Sequence, residues 1–226
     1  MEIEGLNKIC NFLKKNNISP KVILDIGARD MEESIFFSKQ YPNAKIISFE
    51  CNPNTLEICR NKIVGIENIQ LIDKAVNEID GTCDFYPINK EKTTTTWEDG
   101  NQGASSLFVA NGKYPHETYV QDKITIECVR LDTILSNLNI DDVDLIWMDL
   151  QGAEMLALKS LGKFLENVKI IYTEVEMNPI YTGQCLFNDV NSFLTDNNFD
   201  FIDGNLNVTY GTDVIYMNNK YKNNIK

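Results

Sequence analysis

The 226 residues suffice for one domain with a core around a single sheet, and 43% hydrophobic with 10% aromatic content excludes a disordered polymer. Against 21 basic residues stand 33 acidic ones, a formal charge of −12 with no basic cluster to offset it, so phosphate backbones are repelled and nucleic acid is set aside as partner. The opening MEIEGLNKIC lacks the basic-then-apolar build of a leader, no apolar run reaches membrane-spanning length, and six cysteines with one histidine show no zinc or disulfide spacing; these features predict a cytoplasmic protein with reduced thiols and no membrane insertion.

In chain order, Ile3, Leu6, Ile9, Cys10 and Leu13 recur at helical spacing and predict an N-terminal helix within residues 1–20, closed by Ser19-Pro20. VILDI (22–26) reads as a first strand, 31–40 as a helix burying Ile35 and Phe36, and 45–50 as a second strand. Pro53 suits the first turn of the next helix, which runs to about Lys62, and 69–72 reads as a third strand. Two consecutive βαβ crossovers place these strands side by side in one parallel sheet. CDFYPI (83–88) predicts a short strand after the Asp80-Gly81 turn. Residues 89–121 show no period and are expected to form a long loop acting as a lid.

A strand at 123–129 and a short helix at 131–138 follow. VDLIWMD (143–149) then reads as a buried strand, 151–165 as a helix, 168–175 as a strand and 187–195 as a helix. Strands at 199–202 and 213–217 form an antiparallel closing pair, and 219–226 reads as a frayed tail. The whole of 1–226 is expected to be one α/β domain: a Rossmann-like, mostly parallel sheet with helices on both faces.

The chemistry concentrates where VILDIG ends in Asp-x-Gly and IISFE ends on a lone acid, Glu50. A tight turn after one strand and a carboxylate after the next build a nucleoside pocket, the acid accepting from both ribose hydroxyls. A dinucleotide's pyrophosphate needs G-x-G-x-x-G here, whereas the chain reads G-A-R-D-M-E, with Glu32 at the third glycine position and Glu33 beside it. NAD and FAD are disfavoured. S-Adenosylmethionine carries no phosphate, and its sulfonium cation suits an acidic pocket.

Taken in order, VILDIGARDMEESIFFS, IISFECNPNT, GASSLF, VRLDTIL, DLIWMDLQGAEMLALKSLG and YTEVEMNPIYTGQCLFNDVNSFL resemble the FkbM family of methyltransferases over roughly residues 22–217. The resemblance implies a class I methyltransferase fold, S-adenosylmethionine, and methylation of a hydroxyl on a saccharide, glycan or small metabolite. The chain departs from the family at Arg29-Asp30-Met31, where many members carry a further glycine or asparagine.

On that frame Asp25, Gly27, Ala28 and Ser34 are expected at the methionyl end of the cofactor, Glu50 at the ribose, Cys51 and Asn52 around the adenosine, and Asp73 and Ala75 at the adenine. Asp149, Glu174 and His116 are the candidate bases for the acceptor's proton. Ser105, Ser106, Glu154 and Glu176 are candidates for the acceptor side, with Glu174 and Glu176 expected on opposite sides of their strand so that one of them faces the site. Clustered carboxylates are also donors that Mg²⁺ accepts, but no spacing assigns a metal site. Asn178-Pro179-Ile180-Tyr181 is similar to a motif of amino-methyltransferases, yet follows the wrong strand for that chemistry. The rival reading is a non-catalytic domain that keeps the fold and serves as a partner or binding subunit.

Overall fold

The apolar, β-branched runs become the middle of a seven-stranded sheet. The structure, a computed structural model, describes residues 2–222. After α1 (Glu2–Lys15) come β1 (Val22–Ile26), α2 (Glu32–Gln40), β2 (Lys45–Phe49), α3 (Leu56–Lys62) and β3 (Ile69–Ile72). Next are β4 (Ala75–Val76), β5 (Gly81–Phe85), β6 (Ile124–Val129), α4 (Leu131–Asn137), β7 (Val143–Met148) and α5 (Glu154–Ser160). The chain continues through β8 (Val168–Glu176), α6 (Phe187–Asp196), β9 (Phe199–Gly204), β10 (Gly211–Asn218) and a helical turn, α7 (Asn219–Lys222).

The large sheet runs β3-β2-β1-β7-β8-β10-β9. Its first five strands are parallel, and β10 lies antiparallel to both β8 and β9. Every residue of β7 is buried, as expected of a strand covered on both faces. Alternation in β1 sends Leu24 and Ile26 to one core layer with Ile146 and Leu158, and Ile23 to the other with Ile9, Phe37 and Trp147. Trp147 and Tyr172, register partners on β7 and β8, stack at 4.0 Å. The strand order reverses between β1 and β7, so the crevice beyond their carboxyl ends is where such a sheet receives ligands.

Several expectations need correction. Helix α2 buries Phe37, while Ile35 and Phe36 are half-buried, because its inward face is Glu33, Ser34 and Phe37. The strand at 83–88 is β5, running from Gly81 to Phe85, and it joins β4 and β6 in a separate three-stranded sheet. The helix at 151–165 is shorter than its apolar face suggested: α5 ends at Ser160, and Gly162, at φ +50°, turns the chain into a 3₁₀ segment, Gly162–Asn167. Residues 219–222 coil into α7 rather than fraying, while the tail beyond Lys222 and the side chain of Ile3 lie outside the described residues. The 89–121 segment has one 3₁₀ turn (Gln102–Ala104) and is tied down by the bridges Thr94–Thr118, Ile88–Gln121, Tyr86–Ser106 and Ala110–Tyr181.

Candidate functional site

A cleft opens beyond the carboxyl ends of β1, β2 and β7, at the sheet edge where such folds receive ligands. Its floor is the turn after β1. Gly27 sits at φ +93°, and a Cβ there would lie 2.0 Å from the Asp149 carbonyl oxygen, so glycine alone lets the two turns meet. The Gly27 and Ala28 N–H groups both donate to Phe49 O, at 3.0 and 2.9 Å, which ties the turn to the end of β2.

Glu50 follows β2 and is 8% exposed. Its Oε2 accepts from Arg29 N at 2.8 Å, and its Oε1 from Cys51 N and Asn52 N at 2.9 and 2.6 Å. Burial pushes its carboxyl up to about 6, against the lowering effect of those three donors, so it is ionised at neutral pH. Oε1 is filled by its two backbone donors, so Oε2, with one, is the oxygen with an acceptor site left for a ribose hydroxyl. Cys51, Asn52 and Ala75 line the same cavity.

Asp73 does not. It is exposed and pairs with Arg60 at 2.9 Å, pointing away from the pocket. Asp25, Ala28 and Ser34 also lie beneath the turn rather than on the cavity wall. The Ser34 hydroxyl donates to Asp25 Oδ2 and lies 2.5 Å from Ser48 Oγ, while Asp25 Oδ1 has no partner among the described residues. Burial pushes Asp25 up to about 7.

At the other end Asp149 follows β7 and opens to cavity water. Desolvation by the surrounding protein raises its carboxyl, and hydrogen bonds from Gln151 and Glu174 with the Arg29 charge oppose that rise. Gln151 Nε2 donates to Asp149 Oδ1 at 2.7 Å and to Glu174 Oε2 at 3.0 Å. Burial, then the neighbouring Asp149, push Glu174 well above the carboxylate range.

The expected split of Glu174 and Glu176 across β8 is wrong. Residues two apart in a strand share a face, and both glutamates approach Asp149. Glu176 is 2% exposed, its Oε2 has no partner among the described residues, and burial pushes it up to about 9. Neither glutamate lines the cavity. Glu154 turns to its own loop, accepting from Leu150 N and Gly152 N at 2.9 and 3.2 Å.

His116 is exposed, with its ring among those of Tyr114 and Tyr210 at 5.2 and 6.1 Å, outside the cavity. Ser105 and Ser106 do line it, but both hydroxyls are engaged: Ser105 accepts from Asn52 Nδ2 and Ile88 N, and Ser106 donates to Gln151 O at 2.8 Å.

Three residues escaped the sequence reading. Arg29 reaches Asp99 at 3.1 Å and lies 4.9 Å from the Trp97 ring centroid, joining the β1 turn to the 89–121 segment. Gln102 accepts from Asn52 and Asn54 at 3.2 and 3.0 Å, closing the same segment over the Glu50 loop. Gln151 stands inside a quoted motif, and Arg29 is a cation in an acidic turn; both were signals, whereas Gln102 left none. Arg29, Met31 and Gln151 take φ of +46°, +70° and +52°, a strained region for residues other than glycine. Among the described residues, no group of three or more His, Cys, Asp or Glu side chains is arranged to hold a metal.

A mostly parallel sheet with one glycine at its first turn and a buried acid after the next strand is the frame of a class I, S-adenosylmethionine-dependent methyltransferase domain. The chain belongs to the FkbM methyltransferase domain family, whose model matches residues 25–201. It is 30% identical over 165 residues to the 2-O-methyltransferase NoeI of Sinorhizobium fredii, covering 72% of this chain and 66% of that protein. It is 23% identical over 172 residues to Methyltransferase 1 of Beauveria bassiana, covering 71% and 68%. The chain thus spans about two thirds of the length of these relatives.

Among solved structures, the fold is shared with the magnesium protoporphyrin IX methyltransferase of Synechocystis PCC 6803 (TM-score 0.53, 9% identity, 95% of this chain and 78% of that one). It is shared also with the fibrillarin pre-rRNA processing protein of Methanococcus jannaschii (TM-score 0.52, 11% identity, 88% and 66%). No helix among the described residues is long and apolar enough to cross a membrane.

Proposed function

We propose that this chain transfers the methyl group of S-adenosylmethionine to a hydroxyl oxygen of a saccharide, glycan or small metabolite. The observation that carries the reading is one cavity lined by Glu50 after β2 and by an exposed Asp149 after β7, on either side of the β1 turn. The residues fit the cofactor: the Gly27 turn gives close backbone approach, and the ionised Glu50 offers an acceptor oxygen for a ribose hydroxyl and a negative charge that suits a cationic ligand. Similarity to a 2-O-methyltransferase supports oxygen as the acceptor atom.

S-Adenosylmethionine supplies a methyl carbon already activated for displacement, so the protein must align the acceptor and take its proton. Asp149 is the base in this reading, because it meets cavity water while Glu174 is held toward its protonated form and His116 lies outside. Gln102 and Ser105 brace the 89–121 segment against the Glu50 loop, which excludes water from the cofactor side.

Calorimetric titration with S-adenosylmethionine and S-adenosylhomocysteine tests the cofactor half. Micromolar binding is expected, weakened about 100-fold in Glu50→Ala by the loss of a charge-assisted hydrogen bond. Transfer of labelled methyl to a panel of nucleotide sugars and oligosaccharides tests the acceptor half. An absence of binding to either ligand retires the enzyme reading in favour of a binding subunit.

A further inference from the structure

We propose that Gln151 is a positioning residue, clamping Asp149 and Glu174 into one proton-sharing pair in which Asp149 stays ionised to receive the acceptor's proton. The proposal rests on the methyl-transfer reading above and adds to it the element that orients the base.

One side-chain amide nitrogen reaches carboxylates from two different strands, at 2.7 and 3.0 Å. An amide nitrogen has two hydrogens, one for each carboxylate. A flipped amide would turn its oxygen toward both acids, so its orientation must be held, and Tyr181 holds it. That ring is 1% exposed, and its hydroxyl donates in a three-centre arrangement to Ala104 O at 2.8 Å and Gln151 Oε1 at 3.1 Å. Ser106 Oγ donates to Gln151 O, so the 89–121 segment grips the same residue by its backbone. The clamp is complete only when that segment is docked.

Gln151 sits at φ +52°, where glycine would be unstrained, and Gly152 follows at φ +96°.

Two carboxylates held by one amide cannot both ionise cheaply, so the pair shares a proton. Glu174 also faces Glu176 on β8, Glu154 on α5 and Asp213 on β10, all of which disfavour its charge. Tyr114 and Tyr119 of the 89–121 segment approach it too, and Arg29 approaches Asp149 with a favourable charge. Glu174 therefore keeps the proton and donates toward Asp149. In the transfer step the acceptor oxygen bonds to the methyl carbon as the carbon–sulfur bond breaks. The electron pair of that bond goes to sulfur, and the hydroxyl proton goes to Asp149, which returns it to cavity water.

The test needs no acceptor. Carbon-13 carboxyl titration by NMR, with Asp149 assigned through Asp149→Asn, is compared in wild type, Gln151→Met, Gln151→Gly and Tyr181→Phe. Loss of the amide donor should raise the Asp149 midpoint by about one pH unit in both Gln151 variants, and Tyr181→Phe should shift it less, in the same direction. Gln151→Gly relieves the backbone strain, which offsets part of the lost contacts, and a cooperative thermal melt of each variant shows that its titration is read on the folded chain. An Asp149 midpoint unchanged in both Gln151 variants overturns the proposal. Failure of wild type to bind S-adenosylmethionine is a separate result, which sinks the methyltransferase reading and leaves the clamp measurable.

Discussion

The two ends of the cavity hold their carboxylates in opposite ways. Glu50 is fixed by three backbone N–H groups within its own and the neighbouring turn, whereas Asp149 is fixed by a side-chain amide and faces other acids. Three backbone donors hold Glu50 in place and oppose the rise that burial causes, as suits a binding anchor. A carboxylate held by a side-chain amide among like charges is poised to exchange a proton. The contrast separates an anchoring end from a reacting end, although both acids stand at the same edge of one sheet.

The largest effect should come from breaking both ends together. Gly27→Ala puts a methyl against the Asp149 carbonyl and forces a strained φ, so about 3 kcal/mol or more of stability and all cofactor binding should be lost, as read by denaturant melts and calorimetry. Asp149→Asn should separate the ends: methyl transfer falls about 10²- to 10⁴-fold while S-adenosylmethionine affinity stays within about threefold. A comparable loss of affinity would assign Asp149 to cofactor binding instead.

Glu176 sharpens the contrast through pH. Its carboxyl is raised from 4.5 to about 9, so between those values the folded chain binds more protons than the unfolded chain. Stability must fall as pH rises across that window, and thermal melts should be higher at pH 5 than at pH 8. Glu176→Gln should flatten the slope, stabilising by about 2 kcal/mol at pH 8 and changing little below pH 4.5. An undiminished slope in that variant would move the effect to Glu154 or Asp25, which are also raised. The smallest effect is expected at Asp73→Ala, which removes only a surface pair with Arg60 and should leave cofactor affinity within about twofold.

Local pattern made the sheet legible. The runs at 22–26, 45–49, 69–72 and 143–148 are short, apolar and bounded by turns, and each forms a strand of the large sheet. Glu50 was legible for the same reason, since an acid closing a buried strand must point at something. The small sheet was not, because β4 has two residues and no period can be read from two. The placement of Asp73 failed because ending a strand fixes a residue's position in the chain, not its side chain's direction, and Arg60 one helix away draws it outward. Pairing Glu174 with Glu176 across the strand failed against the two-residue period itself.

The sequence by itself determined the strands of the parallel sheet, the single-glycine turn and the acid after the second strand, because each is written in a short run of neighbouring residues. Only the tertiary structure decided which carboxylates come together, what Gln151 and Tyr181 hold, and how Arg29 and Gln102 fasten the 89–121 segment. Those contacts join residues 23 to 77 positions apart, and nothing in a local pattern specifies which distant side chains the packed sheet will bring within hydrogen-bond reach.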